Sequence, residues 1–117
     1  MISTNDNKID IERTTALLET LTCELKLLNL WQTHQPSSVE LSSSAPFCCD
    51  TLTFEQWLQF IFITKLMVMI NQQQSLPTKI SLTPMAEEAF KHLSVNTKPL
   101  LGIIQKIDKT LMEQGKL

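Results

Sequence analysis

The 117-residue chain has no tyrosine, only two glycines and only three cysteines. With so little glycine there is no loop able to cradle a phosphate in the manner of a nucleotide-binding motif. The cysteines are odd in number, with Cys48 and Cys49 adjacent and Cys23 alone, which argues against a disulfide framework and for a reducing compartment. A strong net charge is missing as well: 10 Lys and Arg face 12 Asp and Glu, so no global field draws the chain to nucleic acid or to an acidic membrane. The opening stretch Met1-Ile2-Ser3-Thr4-Asn5-Asp6-Asn7-Lys8 lacks the features of a signal peptide, and a cytoplasmic location is expected. The most apolar run, Trp57 to Ile70, is interrupted by Gln59, Thr64 and Lys65 and falls short of the ~20 residues that span a bilayer.

What is present is helical patterning. Ile11, Leu18 and Leu25, interleaved with Leu21 and Leu28, form one apolar stripe, which predicts a first helix over about 8–30. Trp31 follows it and is expected to fold back on the core, with Pro36 preventing continuation. Residues 32–51 are rich in serine and proline and read as a long ordered loop pinned by Phe47. Thr53-Phe54-Glu55-Gln56 is a capping box that starts a second helix over 53–72. At 100° per residue, Glu55, Gln56 and Gln59 share a sector that continues as Ile63, Leu66 and Ile70, so the polar face of this helix ends halfway. That sector is either covered by the rest of the fold or exposed as a contact patch. Thr83-Pro84 reads as an N-cap followed by proline, opening a third helix over 84–93, and Leu100, Ile104, Ile107 and Leu111 mark a fourth over 98–114.

Chemistry is harder to find. His34, His92, Cys23, Cys48 and Cys49 share no helical spacing suited to a metal, and neither a metal nor another cofactor is expected. No nucleophile and base can be named together, so the chain reads as non-catalytic. Lys65, set among Ile63, Leu66 and Met69, must either reach water along its stem or meet a carboxylate such as Asp50 or Glu55. The only basic surface lies toward the C-terminus, where Lys98, Lys106, Lys109 and Lys116 share one side of the last helix. No aromatic residue is interleaved with these lysines, so direct nucleic-acid binding is not the first expectation.

Several of these residues together resemble the YqcC-like family, a domain of unknown function: Leu17-Leu18-Glu19, Trp31, Pro46-Phe47 with Asp50-Thr51-Leu52, Glu55-Gln56-Trp57-Leu58-Gln59, Leu76-Pro77, and Pro84 with Glu88 and Ala89. The chain departs from the pattern at Ile63-Thr64-Lys65-Leu66, where the resemblance leads one to expect Ile-Pro-Arg-Met. A proline kink is therefore not expected, and Lys65 keeps a charge without the bidentate geometry of arginine. The resemblance implies an all-helical fold and an association with tRNA pseudouridine synthase C, read as an association and not as an activity of this chain.

The expectation is a single all-α domain over 1–117, an irregular four-helix bundle with a long loop between helices 1 and 2. Trp31, Phe47, Trp57, Phe60, Ile61 and Phe62 are expected in its core. Its function is expected to be that of a small interaction or accessory protein binding an unidentified partner or a second copy of itself. The candidate surface is Phe47, Asp50, Ile63, Lys65, Leu66 and Ile70. The alternative is an RNA-linked accessory to a pseudouridine synthase, acting through Lys98, Lys106, Lys109 and Lys116.

Overall fold

The computed structural model describes residues 2–114, with side chains from residue 10 onward. Its framework is an antiparallel pair of helices drawn from the two ends of the chain. Helix α1 (Ile2–Leu27) buries Leu18, Leu21 and Leu25 against Leu100, Ile104, Ile107 and Leu111 of α6 (Lys98–Gln114). Each of these residues is at most 1% exposed, worth roughly 1.5–3 kcal/mol of apolar burial apiece before chain entropy is counted. Gln114 donates to the Thr14 hydroxyl at 3.2 Å, which ties the last turn of α6 to the first half of α1. Helix α1 stops three residues earlier than the periodicity predicts. Asn29 turns left-handed (φ 60), and the Leu30 and Asn29 amides donate back to Leu25 and Lys26 at 2.8 and 3.1 Å, a Schellman ending.

A second rod packs into the same core. It comprises α3 (Phe54–Trp57), a π-turn (Leu58–Ile63) and α4 (Thr64–Asn71), which continue one another without a loop. The predicted capping box is present: the Thr53 hydroxyl accepts from the Gln56 amide, and the Gln56 side chain accepts from the Thr53 amide. Gln73 (φ 57) ends α4 with the same Schellman arrangement that closes α1.

The π-turn alters the phase of the rod. One extra residue in a turn rotates everything after it by roughly 100° relative to an uninterrupted α-helix. Ile63 and Leu66 thereby join Phe54, Leu58 and Phe62 on the buried face, and Ile70 packs partly buried against the same core. Position 64 is not a proline, yet the regular ladder is still interrupted. The Thr64 hydroxyl donates to the Gln59 carbonyl inside the π-turn at 3.3 Å.

Residues 32–51 are more structured than a loop. Helix α2 (Ser38–Leu41) carries its own capping box from Ser37 and Glu40, and a tight turn follows over Pro46–Cys48. Helix α5 (Thr83–Phe90) begins one residue before prediction and ends three residues earlier, and Thr83 does not cap it. Asp108 of α6 does so from across the core. Its carboxylate accepts from the Leu82 amide at 2.9 Å, the Thr83 amide at 2.8 Å and the Thr83 hydroxyl at 2.7 Å. Of the aromatic residues expected inside, only Phe62 is buried. Trp31, Phe47, Trp57 and Phe60, like Ile61, are partly exposed, because the leucines and isoleucines of α1 and α6 fill the centre.

Candidate binding cleft

Trp57 closes α3 at the entrance to the π-turn, where it belongs to a set of aromatic contacts. The Phe47 ring meets it edge-on with centroids 4.9 Å apart, while Phe54 and Phe62 stack on it at 5.7 and 5.5 Å. Phe47 reaches this position from a backbone in which it and Cys48 are both left-handed (φ 57 and 51). Such conformations cost on the order of 1–3 kcal/mol each for residues other than glycine and persist only where the surroundings enforce them. Here Cys48 is buried, and the Thr51 hydroxyl donates to the Glu40 carbonyl at 2.8 Å, joining the turn to α2.

Behind Trp57, Gln59 is buried and binds the backbone of Gln32 on both sides. Its carbonyl oxygen accepts from the Gln32 amide at 2.9 Å, and its amide donates to the Gln32 carbonyl at 2.8 Å. The segment after α1 is thus fastened to the π-turn. Just upstream, the Lys26 amine sits 5.2 Å from the centroid of the Trp31 ring, which packs half-buried against the core as its position after the stripe predicts.

On the other side of the π-turn the rod faces the connector between α4 and α5, and the two enclose a cleft of about 410 Å³. Trp57, Ile61 and Lys65 follow one another along one wall, with Met69 beyond them. Ser75, Pro77 and Ile80 of the connector form the other wall. Phe62 and Leu66 are buried and supply the floor. The connector is held in place from below by Asp108 through Leu82 and Thr83. Lys65 is exposed and, among the described residues, is the only charged side chain lining the cleft. Among the described residues the one ion pair is Lys91 with Glu88 at 2.8 Å. Lys91 holds the Glu88 carboxyl below its ordinary range by hydrogen bonding and charge. Neither Asp50 nor Glu55 pairs with Lys65; Asp50 instead accepts a short hydrogen bond from the Ser43 hydroxyl.

The surface read from sequence is therefore redrawn. Ile63 and Leu66, 9% and 2% exposed, are core residues and cannot form an outer patch as they stand, and Ile70 is only partly accessible. Lys65 is exposed, the first of its two expected outcomes; Phe47 packs on Trp57 but does not line the cleft, and Asp50 belongs to its own loop. Trp57, Ile61, Met69, Pro77 and Ile80 were absent from the expected surface. The Leu76-Pro77 break was visible as an extended connector, but nothing in a single sequence places it across from Lys65.

Lys98, Lys106 and Lys109 are exposed on α6, and Lys116 lies outside the described residues. His34 and His92 are exposed, and the imidazole of His34 lies 3.1 Å from the hydroxyl of its neighbour Thr33. Cys23, Cys48 and Cys49 are free thiols. Among the described residues no cluster of three or more His, Cys, Asp and Glu could hold a metal ion, and no helix is long and apolar enough to cross a membrane.

The fold matches the solution NMR structure of YqcC from Escherichia coli with a TM-score of 0.81, over 92% of each chain at 23% identity. By sequence, the E. coli protein YqcC, itself uncharacterised, is 25% identical over 97 residues, covering 83% of this chain and 89% of the relative. An uncharacterised protein of Haemophilus influenzae is 39% identical over 77 residues, 66% of this chain and 73% of the relative. A third relative, named tRNA pseudouridine synthase C, from Pectobacterium carotovorum subsp. carotovorum, is 32% identical over 47 residues, covering 40% of this chain but only 12% of its own length. Residues 13–110 match the family DUF446, described as tRNA pseudouridine synthase C, and the chain belongs to that family.

Proposed function

We propose that this chain is a non-catalytic accessory protein that docks onto a tRNA pseudouridine synthase through the cleft beside Trp57 and Lys65. The observation that carries the reading is the relative named as such a synthase, in which the segment resembling this chain is 12% of the length. Physical linkage of two modules raises their effective concentration for one another, which is useful when the modules act together. The cleft supplies a surface suited to docking: a partly exposed tryptophan, an apolar floor and a lysine with no carboxylate partner among the described residues. Synthase chemistry is not assigned to this chain, because the segment that resembles it is a small part of the synthase-named relative.

The test is calorimetric titration of the purified chain into the purified tRNA pseudouridine synthase C of the same bacterium. Saturable binding with a Kd on the order of micromolar is expected. No heat of binding at concentrations of about 100 μM would contradict the reading.

A second reading is favoured by the exposure of Lys98, Lys106 and Lys109 on one helix, none of them in an ion pair among the described residues. In this reading the chain contacts the synthase's RNA substrate. Its affinity for tRNA would then fall steeply with added salt, and affinity insensitive to salt would count against it.

A further inference from the structure

Among the described residues Lys65 is the one charged side chain in a cleft that is otherwise apolar apart from Ser75, and no carboxylate lies within 4.0 Å of it. Asp50, one of the two carboxylates named from sequence, accepts instead from the Ser43 hydroxyl. A partner that covered Lys65 with apolar groups alone would take this ammonium out of water unpaired, which is unfavourable. An occupant that brings its own negative charge to Lys65 avoids that loss while filling the space over Phe62 and Leu66.

The remaining lining says what kind of occupant fits. Tryptophan and methionine are enriched in the cores of protein interfaces, and a tryptophan held by its neighbours loses little freedom on binding. Trp57 is held on three sides by Phe47, Phe54 and Phe62. The left-handed Phe47-Cys48 pair, a costly local conformation, carries one of these rings against Trp57, and the π-turn begins at the next residue.

We infer that the cleft receives a protein segment in which a large apolar side chain sits beside a carboxylate, the apolar group packing on Trp57 and Met69 and the carboxylate pairing with Lys65. This rests on the docking reading above and specifies the chemistry of the partner's segment. Because Lys65 is exposed, its substitution leaves the fold intact, which a thermal melt checks.

The experiment has two arms. In the first, the synthase is titrated with the wild-type chain, Lys65→Glu and, as a control, Lys91→Glu at the exposed end of α5. Lys65→Glu is expected to weaken binding about 10- to 100-fold, and Lys91→Glu to leave it within about twofold. In the second, Trp31→Phe leaves Trp57 as the only tryptophan, and its emission follows titration with two synthetic helical peptides that share one leucine face. One peptide has glutamates flanking that face and the other has lysines. The glutamate peptide is expected to bind the Lys65 protein more tightly, and Lys65→Glu to reverse the order. Equal affinities, or no binding of either peptide, would overturn the inference. If the synthase binds wild type and Lys65→Glu alike, docking stands and the role of Lys65 falls. If the peptides reverse but the synthase does not bind, the cleft chemistry stands and the synthase is not the partner.

Discussion

Replacing Asp108 by alanine should damage both the stability of the protein and the shape of its cleft. The carboxylate is 7% exposed and gathers three donors, the Leu82 amide, the Thr83 amide and the Thr83 hydroxyl, at 2.7–2.9 Å. Hydrogen bonds to a charged acceptor contribute roughly 1.5–3 kcal/mol, and a buried donor left without a partner costs ~1–3 kcal/mol. The Leu82 amide is the most enclosed of the three, since Leu82 is 0% exposed, whereas Thr83 is partly accessible and recovers some hydration. The loss for Asp108→Ala is therefore about 3–5 kcal/mol, short of the full sum because the three bonds share one acceptor group. In a chain of this size that corresponds to a fall in Tm on the order of 10–20 °C. Thr83→Val, which removes one donor and keeps both amide bonds, should cost only ~0.5–1.5 kcal/mol. Circular dichroism melts of the three proteins make the comparison. An Asp108→Ala protein that melts with Thr83→Val would refute the claim that this carboxylate anchors the connector and the start of α5.

Other substitutions probe the remaining supports of the cleft. Gln59→Glu keeps the shape but loses the donor to the Gln32 carbonyl, and should cost ~1–3 kcal/mol by urea denaturation; an unchanged midpoint would show that the bond to Gln32 is dispensable. Phe47→Ala removes two edge-on ring contacts, with Trp57 and Phe54, and should cost ~1–3 kcal/mol while shifting Trp57 emission to the red; unchanged emission would place the Phe47 ring elsewhere. Thr64→Pro should cost well under the ~3 kcal/mol of proline inside a regular helix, because the Thr64 amide meets the Ile61 carbonyl at the end of the π-turn; a full loss would mean an uninterrupted α-helix. The Glu40 carboxyl is held below its ordinary value of 4.5 by the Ser37 amide first and the Ser37 hydroxyl second. Its stabilisation is therefore present above that ordinary value and lost as pH falls through the lower folded one. A carboxyl titration followed by NMR should show the Glu40 midpoint below 4.5 and returning toward it in Ser37→Ala; identical midpoints would dissolve the α2 capping box.

The helices were legible where local signals agree. The stripe of α1, the Thr53-to-Gln56 box and the Leu100-to-Leu111 periodicity each rest on spacings of three or four residues within one helix, and the structure repeats them. The contact surface was not legible, for a specific reason. A constant 100° step placed Ile63, Leu66 and Ile70 after a polar sector, and the π-turn between Leu58 and Ile63 breaks that step. Gln59, counted with the polar face, is buried because it finds both of its partners on one distant backbone residue. Asp108 was likewise hidden: on its own helix it looks like an ordinary polar residue, and only the packing of α5 on α6 shows it as a cap. Lys65 could be singled out because its neighbours are apolar whichever way the helix turns.

The docking claim is tested most directly by methyl and indole NMR spectra of the labelled chain during titration with its tRNA pseudouridine synthase C. The account expects the Trp57 indole and the methyl groups of Ile61, Met69 and Ile80 to shift together, with Ile103 on α6 unmoved. Shifts confined to α6, or no shifts at saturating synthase, would contradict it.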